Sequence, residues 1–445
     1  MYQDTIAGIS TPLGEGGIGI VRLSGDNARP ITEQLFDKTL SDHRLVYGHI
    51  VDPETGETVD EVLVSFMAAP HTYTREDIVE INCHGGIVPL QQILGLALRE
   101  GARAAEPGEF TLRAFLNGRI DLSQAESVLD IVQARTAESL RLAVNGLKGK
   151  LSNQINAIRD ELLSILAYLT ARIDFPDDEV PEQDVMGPIV WALEQIQELI
   201  AGADAGIIYR QGIRTAIAGR PNVGKSSLLN LLLRESRAIV TPVPGTTRDT
   251  LEEVVNLNGV PFVLVDTAGI IESQDVVESL GIERSRKAIE QASLVLLVID
   301  ASEPLNEADR EIFALLEGKT AVAAANKSDL PRAAELAGLT WPIVSTSAVT
   351  GEGLVALEEK MVELAMGGKV TASDVLLVTS VRHKEALQRA EKHLASAGEG
   401  LQLGVPEDLI TIDLTAALNA LGEITGQTVS EGLLDAIFSR FCIGK

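Results

Sequence analysis

The sequence predicts a multidomain protein with α+β, helical and α/β parts, and three observations support this fold class. The chain has 445 residues, which is more than one hydrophobic core usually organises. Apolar residues form short strand-like runs near the start and long helical stripes further on. From Ile213 onwards strand and helix patterns alternate, and this alternation is typical of an α/β domain.

Charge and cysteine content narrow the functional class. The chain carries 37 basic and 64 acidic residues, so its formal net charge is −27, and any contact with RNA requires a local basic patch or a partner protein. The two cysteines, Cys83 and Cys442, are too few for a disulfide scaffold and suit a reducing compartment. We see no signal peptide and no apolar run long enough to span a membrane, so we expect a cytoplasmic protein without a membrane contact.

The first part of the chain, residues 1–118, has the pattern of a compact α+β domain. Strand-like runs occur at residues 18–23, 62–67 and 78–83, and turns rich in glycine and proline separate them. A helical pattern follows Pro89. We therefore expect a sheet with at least one helix packed on it.

Residues 119–210 and 371–445 show helical patterns on both sides of the α/β region. Between Ile155 and Leu169 apolar residues recur every three or four positions, which indicates one buried helix face. Residues 123–126, Ser-Gln-Ala-Glu, match a capping box at a helix start. We infer that the α/β part is inserted into one helical domain built from both flanks. The sequence alone also accommodates separate helical regions in series.

A phosphate-binding loop follows the predicted strand at residues 214–218. Gly219-Arg220-Pro221-Asn222-Val223-Gly224-Lys225-Ser226 matches the pattern G-x-x-x-x-G-K-[ST], and a helical pattern at residues 227–233 comes next. The glycines allow backbone N–H groups to surround phosphate oxygens, the lysine reaches the β- and γ-phosphates, and the serine hydroxyl is a ligand for Mg²⁺. This order of strand, loop and helix predicts a nucleoside triphosphate site.

Two later motifs select guanine as the base. Asn326-Lys327-Ser328-Asp329 follows an apolar strand pattern, and the Asp329 carboxylate can accept hydrogen bonds from N1–H and the exocyclic amine of guanine. Adenine has neither donor at these positions, so a buried acceptor would lose roughly 1–3 kcal/mol or more with adenine. Ser347-Ala348 follows the next predicted strand and fits the loop whose backbone contacts guanine O6.

Between these elements lie the motifs that contact the γ-phosphate and Mg²⁺. Asp266-Thr267-Ala268-Gly269 ends a predicted strand, where the carboxylate can hold a water on Mg²⁺ and Gly269 can offer an N–H to the γ-phosphate. Asn258-Gly259 predicts a hairpin turn before that strand. Gly245-Thr246-Thr247-Arg248-Asp249 occupies the position of a switch loop, in which either threonine could ligate Mg²⁺.

The residue after D-T-A-G indicates that hydrolysis needs additional help. Many GTPases have a glutamine there that orients the attacking water, whereas this chain has Ile270. An isoleucine cannot form that hydrogen bond, which leaves an arginine supplied by a partner or a monovalent cation. Asn222 has an amide oxygen near the phosphates that suits a cation ligand, and stabilisation of the loop is the alternative role.

Taken together, these motifs resemble one family. P-N-V-G-K-S, P-G-T-T-R-D, D-T-A-G, N-K-S-D and the final Cys442-Ile443-Gly444-Lys445 are similar to the bacterial tRNA modification GTPase MnmE family, also called TrmE, and the resemblance covers the whole chain. It implies an N-terminal tetrahydrofolate-binding and dimerisation domain at residues 1–118. A discontinuous helical domain would occupy residues 119–210 and 371–445, with a Ras-like P-loop GTPase domain inserted at residues 211–370.

The resemblance also implies the ligands of the nucleotide and its cations. Ser226 and Thr247 would bind Mg²⁺, and Glu278 would position the attacking water as a catalytic residue. K⁺ would replace an arginine finger, held by Asn222, Thr241, Val243 and Thr246. The full set of predicted GTP-binding residues is Asn222, Val223, Gly224, Lys225, Ser226, Ser227, Thr241, Pro242, Val243, Pro244, Gly245, Thr246, Thr247, Asp266, Thr267, Ala268, Gly269, Asn326, Lys327, Asp329, Ser347 and Ala348.

A second predicted site binds folate, and it too rests on the resemblance. Its residues would be Arg22, Glu80, Arg119 and Lys445, of which the cationic ones suit an anionic folate. Position 119 is often lysine in the family, and arginine changes the reach of that contact. The family ties Cys442 to the modification reaction, as a nucleophile or as a structural residue. Cys83 is expected to be an ordinary strand residue.

The implied reaction adds an aminomethyl or carboxymethylaminomethyl group to C5 of the wobble uridine of certain tRNAs. It would use Mg²⁺, K⁺, GTP as substrate and formyl- or methylene-tetrahydrofolate. The implied partners are a second copy in a homodimer, a FAD-dependent protein, MnmG (GidA), in a heterotetrameric or larger complex, and tRNA. Two alternatives are an Era- or Der-type ribosome-assembly GTPase and a non-enzymatic, GTP-gated scaffold. The first is disfavoured because the chain has one P-loop and no basic RNA-binding module.

Overall fold

A computed structural model describes residues 4–175, 181–235, 252–266, 286–367 and 377–445 of the chain. The chain forms two compact units. Unit 1 comprises Met1–Leu129, Leu147–Asn156 and Leu418–Lys445. Unit 2 comprises Asp130–Gly146 and Ala157–Ala417.

Strands and helices follow the described chain in a fixed order. The first part contains β1 (Ile6–Ile9), β2 (Gly16–Ser24), α1 (Ala28–Leu35), β3 (Arg44–Val51), β4 (Thr58–Met67), β5 (Ile78–Gly85), α2 (Ile87–Arg99), β6 (Arg103–Ala104), α3 (Glu109–Leu116), α4 (Leu122–Gln133), α5 (Ala137–Leu147) and α6 (Lys150–Asp174). The second part contains α7 (Met186–Gln211), β7 (Ile213–Ala218), α8 (Lys225–Glu235), β8 (Glu252–Leu257), β9 (Val260–Asp266), β10 (Leu294–Asp300), α9 (Glu307–Leu315), β11 (Ala321–Asn326), β12 (Ile343–Ser345), α10 (Leu354–Ala365), α11 (Val381–Leu403), α12 (Glu407–Thr425) and α13 (Glu431–Phe438). None of the helices in the described ranges is both long and apolar enough to cross a membrane.

A six-stranded sheet organises the N-terminal part of unit 1. Its strand order is β3-β4-β5-β2-β1-β6, and the neighbouring strands are antiparallel except for β1 and β6. Val21, Val64 and Ile81 lie side by side on one face and are fully buried. Ile93 of α2 belongs to the same hydrophobic cluster. The predicted strands at residues 18–23, 62–67 and 78–83 and the helix after Pro89 are confirmed.

Residues from both ends of the chain share a second hydrophobic cluster in unit 1. It joins Ala114 of α3 and Leu122 of α4 to Phe438 and Phe441, which lie at and just after the end of α13. The rings of Phe438 and Phe441 stack with their centroids 5.6 Å apart. The last helix and the residues that follow it therefore complete the N-terminal unit.

A buried arginine ties α3 to the chain start in the same unit. The Arg113 side chain is only 1% exposed, and its Nη2 lies 2.7 Å from Asp4 Oδ1 and 3.0 Å from Glu109 Oε1. Its Nη1 lies 3.2 Å from Glu76 Oε2. A buried charge is strongly destabilising unless it is paired, and three carboxylates provide that pairing here. Sequence patterns did not reveal this cluster because Asp4 and Glu76 are far from Arg113 in the chain.

The predicted capping box at residues 123–126 is wrong in its position. Helix α4 begins one residue after Asp121, whose side chain accepts a hydrogen bond from the N–H of Gln124 at 2.9 Å. In return, Gln124 Oε1 accepts from the N–H of Asp121, also at 2.9 Å. Ser123 donates its hydroxyl to Asp121 at 2.9 Å. The carboxylate precedes the helix directly, so it caps the free N–H groups two residues earlier than predicted.

A second six-stranded sheet forms the middle of unit 2. Its order is β12-β11-β10-β7-β9-β8, and all pairs are parallel except the β8–β9 hairpin. Asn258 and Gly259 have φ values of +50° and +89°, the positive values that a two-residue type I′ turn requires, so the predicted hairpin is confirmed. Every residue of β10 is buried, as expected for a central parallel strand covered on both faces.

Helix α7 precedes the sheet in sequence and α11 follows it, and these two helices pack on each other. Gln197 of α7 donates to Glu391 of α11 at 3.0 Å, and Lys384 of α11 pairs with Asp204 of α7, so the two helices run antiparallel. The apolar stripe predicted between Ile155 and Leu169 is buried along α6. The domain boundaries given by the sequence, after residues 118, 210 and 370, stay predictions.

Candidate functional site

The phosphate-binding loop connects β7 to α8 and has an unusual backbone. Gly219, Asn222 and Gly224 have φ values of +151°, +64° and +97°. Only glycine takes the first of these without strain, and asparagine tolerates the second better than most residues. Val223 is fully buried beneath the loop. The chain therefore wraps around the space in front of α8, where phosphate groups are bound in loops of this type.

Gly219 provides a direct test of this loop. A Cβ atom at this position would lie 2.4 Å from the carbonyl oxygen of Val298, in addition to the strain of its φ value. We expect Gly219→Ala to lower GTP affinity by about tenfold or more, because the loop must move. Titration with a fluorescent GTP analogue measures this. Gly338→Ala is the matched control, since no atom lies within 4 Å of its Cβ position, and equal affinities would contradict the role of the loop.

Lys225 lies inside the loop that precedes it. Its Nζ donates to the carbonyl oxygens of Gly219 and Arg220 at 2.7 and 2.8 Å. Ser226 and Ser227 follow in the first turn of α8 and are exposed. The ammonium group and two hydroxyls therefore meet at the helix N-terminus, where the backbone dipole also favours an anion.

One buried asparagine connects the phosphate loop to the loop that contains Ser347 and Ala348. Asn326 is 2% exposed, and its Nδ2 donates to the carbonyl oxygen of Val223 at 2.8 Å. Its Oδ1 accepts from the N–H of Ala348 at 3.0 Å. A Cβ atom on Gly224 would lie 2.2 Å from the same amide, so the approach requires glycine. The sequence predicted Asn326 as a nucleotide contact but not this bridge.

The Asp329 carboxylate, predicted to read the base, is held by a neighbouring hydroxyl. Ser347 Oγ donates to Asp329 Oδ1 at 2.6 Å. This hydrogen bond fixes the orientation of the whole carboxylate, including its second oxygen, Oδ2. The residue that provides it belongs to the other predicted guanine motif, Ser347-Ala348. The structure therefore brings together the P-loop, N-K-S-D and Ser347-Ala348.

Lys327 is positioned by a residue that the sequence reasoning missed. Its Nζ lies 2.6 Å from Asp300 Oδ2 at the carboxyl end of β10, and its φ is +64°. Burial raises the pKa of Asp300, but hydrogen bonds from Lys327 and Ser302 outweigh burial and leave the pKa below its ordinary value. Asp300 is therefore ionised and fixes the lysine. An acidic residue directly after the apolar run of β10 was the available signal.

Several predicted nucleotide residues are outside the described part of the chain. Asp266 ends β9 and pairs in register with Ile217 of β7, next to the phosphate loop, but only its backbone is described. The other residues discussed for this site that lie outside the described ranges are Thr241, Pro242, Val243, Pro244, Gly245, Thr246, Thr247, Thr267, Ala268, Gly269, Ile270 and Glu278. Their predicted contacts stay predictions.

A second cluster of predicted residues forms at the open face of the N-terminal sheet. Arg22 and Glu80 are direct neighbours on β2 and β5, and Arg22 Nε donates to Glu80 Oε1 at 2.8 Å. Arg22 Nη1 also donates to the carbonyl oxygen of Gly444 at 3.1 Å. Ser10 Oγ donates to the same oxygen at 3.1 Å. The chain end is thus held beside the predicted folate residues.

Aromatic rings lie between the cationic residues of this cluster. The guanidinium of Arg119 is 4.8 Å from the ring centroid of Tyr73, and that of Arg22 is 5.7 Å from the ring centroid of Phe110. Tyr73 OH forms a 3.0 Å hydrogen bond with Thr111 Oγ1. Burial raises the pKa of Tyr73, so its hydroxyl stays protonated at neutral pH. Rings and cations together suit a flat, anionic ligand.

The last four residues continue along this cluster. The carbonyl oxygen of Cys442 accepts from the N–H of Gly108 at 3.4 Å and from the N–H of Lys445, also at 3.4 Å. Gly444 has φ +90°, and a Cβ there would lie 2.3 Å from the carbonyl oxygen of Ile9. The Cys442 side chain is exposed. The terminal segment is therefore fitted closely against β1 while its thiol faces solvent.

Comparison with known proteins assigns the chain to one family. A family model described as "GTP-binding protein TrmE N-terminus" matches residues 5–119, and one described as "MnmE helical domain" matches residues 122–442. The chain belongs to the MnmE family. Curated relatives named tRNA modification GTPase MnmE are 52% identical in Roseiflexus sp. (strain RS-1), 51% in Chloroflexus aurantiacus and 47% in Desulforamulus reducens. Each match covers 100% of this chain and 100% of the relative.

The two cysteines of this MnmE-family chain are expected to differ in reactivity. Cys83 is a buried strand residue, as predicted; its thiol donates to the carbonyl oxygen of Gly19 at 3.3 Å, and burial raises the pKa of Cys83 to about 11. At pH 8 only about one Cys83 in a thousand would be a thiolate. We expect a thiol reagent to label one cysteine in the folded chain and two after denaturation. Cys442→Ser should abolish native labelling, and rapid labelling of Cys83 would contradict its burial.

Proposed function

We propose that the chain hydrolyses GTP to drive the modification of tRNA. With a FAD-dependent partner, MnmG (GidA), it would add an aminomethyl or carboxymethylaminomethyl group to C5 of the wobble uridine of certain tRNAs. One observation carries this proposal: relatives named tRNA modification GTPase MnmE align with the whole chain over their own full length. The assembled phosphate and guanine loops support the nucleotide part. A tRNA-modifying role also suits a cytoplasmic location.

Nucleoside mass spectrometry of tRNA tests the function directly. Cells that lack the gene should lose the C5-modified wobble uridine, and a plasmid that carries this chain should restore it. An unchanged set of modified nucleosides after deletion would refute the proposal. An Era- or Der-type role has less support, because the two family models together cover residues 5–119 and 122–442.

The residues present fit Mg²⁺ and GTP. The Ser226 hydroxyl is exposed at the N-terminus of α8, directly after the lysine that the loop encloses, which is the position of a Mg²⁺ ligand in P-loop proteins. Mg²⁺ would neutralise charge on the phosphates, and Thr247 is the second proposed ligand. Asn222 is exposed at the loop with φ +64°, so its amide can face a K⁺ ion there. Thr241, Val243 and Thr246 are the other proposed K⁺ ligands.

Hydrolysis is expected to depend on K⁺ and on Glu278. Ile270 cannot orient water, so the GTPase rate should be more than about tenfold higher in K⁺ than in Na⁺. Glu278→Ala should lower kcat by about a hundredfold without changing GTP affinity, because it removes the group that positions the attacking water. Glu317→Ala, an exposed carboxylate on the same unit, is the control. Equal and very low rates in K⁺ and Na⁺ would instead favour the GTP-gated scaffold.

The cluster at the open sheet face is the proposed folate site. Arg22, Arg119 and Lys445 offer cations for the carboxylates of formyl- or methylene-tetrahydrofolate, and Tyr73 offers a ring for stacking. Glu80 keeps Arg22 oriented through the 2.8 Å bond. Bound folate would supply the one-carbon unit. The exposed thiol of Cys442 lies on the adjoining segment, and Cys442→Ser distinguishes a chemical role from a structural one.

The same sheet face supports a homodimer. Ile18, Leu45, Tyr47 and Leu63 are exposed on it, with Leu45 58% exposed and Ile18 62% exposed. Apolar groups exposed in such number on one face commonly mark a protein interface. We propose that two copies associate through this face, beside Arg22 and Glu80, and that the dimer joins the FAD-dependent partner in a heterotetramer or larger complex. The substitution Tyr47→Asp should shift the chain towards monomer, and sedimentation of this variant would test the interface.

A further inference from the structure

Four helix ends meet at one end of unit 2 and leave apolar side chains exposed. Leu403 ends α11 and is 81% exposed, and Ile412 in the second turn of α12 is 62% exposed. Each exposed apolar residue lies within six positions of a helix end. We call this set the bundle-end surface, and it consists of Phe175, Val190, Trp191, Leu403, Leu409 and Ile412.

Contacts between the helices show that the four helix ends that carry these residues are neighbours. Arg172 near the end of α6 pairs with Glu407 at the start of α12, with Nη1 3.0 Å from Oε1. Gly398 of α11 lies against Ile189 of α7, where a Cβ on the glycine would be 3.7 Å from Cγ2. The N–H of Gln183, just before α7, donates to Tyr168 OH of α6 at 3.2 Å. All four helices are therefore tied together at this end.

The charge around the bundle-end surface is almost entirely negative. Residues 171–175, 181–191 and 397–413 contain seven carboxylates and one basic residue. That basic residue, Arg172, is already paired with Glu407. Carboxylates thus flank the exposed apolar residues along the chain, and we call these carboxylates the acidic rim; apolar groups bordered by polar ones are common at protein interfaces.

The sign of this charge selects among possible occupants. Phosphate backbones are repelled, so tRNA is not expected to bind here. Two copies of the same acidic rim would also repel each other. A protein with an apolar patch bordered by lysine and arginine would be attracted at both the centre and the rim.

We propose that the bundle-end surface is the docking site for the FAD-dependent partner. This inference rests on the proposed function, in which an acidic chain of net charge −27 leaves much of the tRNA contact to its partner. A protein that binds tRNA must carry basic surface, and such a surface is complementary to this rim. The apolar centre would supply most of the binding energy, while the rim would speed and orient association.

The test compares surface variants of the full chain in binding the purified partner. Leu403→Ser with Ile412→Ser should weaken binding by about tenfold or more, because exposed apolar anchors are lost. Asp408→Lys should weaken binding and reduce its dependence on salt. The control is Val355→Ser, which is 66% exposed on α10 and should bind as the wild type does. The GTPase rate of each variant alone should be unchanged, which shows that unit 2 is folded.

Each other outcome has a defined meaning. If the wild-type chain binds the partner but all variants bind equally well, the bundle-end surface is not the docking site and the proposed function stands. If the wild-type chain does not bind the partner at all, both the partnership and the docking proposal fall. If the double variant changes the sedimentation of the chain alone, the surface is occupied by a second copy and the proposal is overturned.

Discussion

Asp329→Asn is expected to lower the affinity for GTP by about two decades or more and to create affinity for xanthosine triphosphate. The carboxylate is predicted to accept from two donors of guanine, whereas an asparagine amide would place its own N–H groups opposite the guanine amine. Xanthine has a carbonyl oxygen at that position, which the amide can donate to. Ser347 Oγ, 2.6 Å from Oδ1, can make the same hydrogen bond to asparagine, so the loop should keep its conformation.

Competition titrations with GTP, ATP and xanthosine triphosphate measure this change. Ser347→Ala is the informative companion, because it keeps the carboxylate but removes the hydroxyl that orients it. We expect this variant to keep its preference for guanine and to lose only about fivefold in affinity, in line with a single hydrogen bond. Unchanged guanine preference in Asp329→Asn would mean that the base is read elsewhere.

Deletion of the last four residues is expected to abolish tRNA modification and leave GTP hydrolysis intact. The deletion removes the carbonyl oxygens of Cys442 and Gly444, which accept from Gly108, Arg22 and Ser10. Each lost hydrogen bond would cost about 1 kcal/mol, so unit 1 is weakened at the proposed folate site. The described nucleotide residues belong to unit 2. Nucleoside mass spectrometry and a GTPase assay of the same variant measure both effects.

Ile443→Ser is the matched control for the deletion. Its side chain is 56% exposed, so the substitution keeps the backbone contacts of the segment and should leave modification unchanged. Normal modification by the deleted chain would contradict a role for the segment. A loss of GTPase activity with the deletion would show instead that the segment stabilises the whole chain.

The nucleotide motifs could be recognised from the sequence because each of them is contiguous. The phosphate loop and N-K-S-D each follow one strand, and the parallel sheet brings the carboxyl ends of those strands to one edge. The bridge from Asn326 to Val223 and Ala348 could not be predicted, because it depends on the distance between two loops. The ion pair of Lys327 with Asp300 could not be predicted for the same reason, because it also joins two separate segments.

The N-terminal unit was less accessible to sequence reasoning. Strand β3, Arg44–Val51, was missed because three of its eight residues are neither β-branched nor large and apolar, and its outward side chains are exposed. The strands β1 and β6 are too short to show a period of two. The close contact of Gly444 with Ile9 joins residues more than four hundred positions apart, so only the fold reveals it.

The shared cluster of Ala114, Leu122, Phe438 and Phe441 has a consequence for the order in which the chain can mature during synthesis. Translation proceeds from the N-terminus, and most domains fold as soon as their last residue has left the ribosome. Here the first unit needs residues 418–445, so its apolar surface stays uncovered while everything in between is made. Emergence of residues 418–445 from the ribosome is therefore the step that allows this unit to close. Ribosome-bound chains stopped near residue 417 should expose that surface to chaperones.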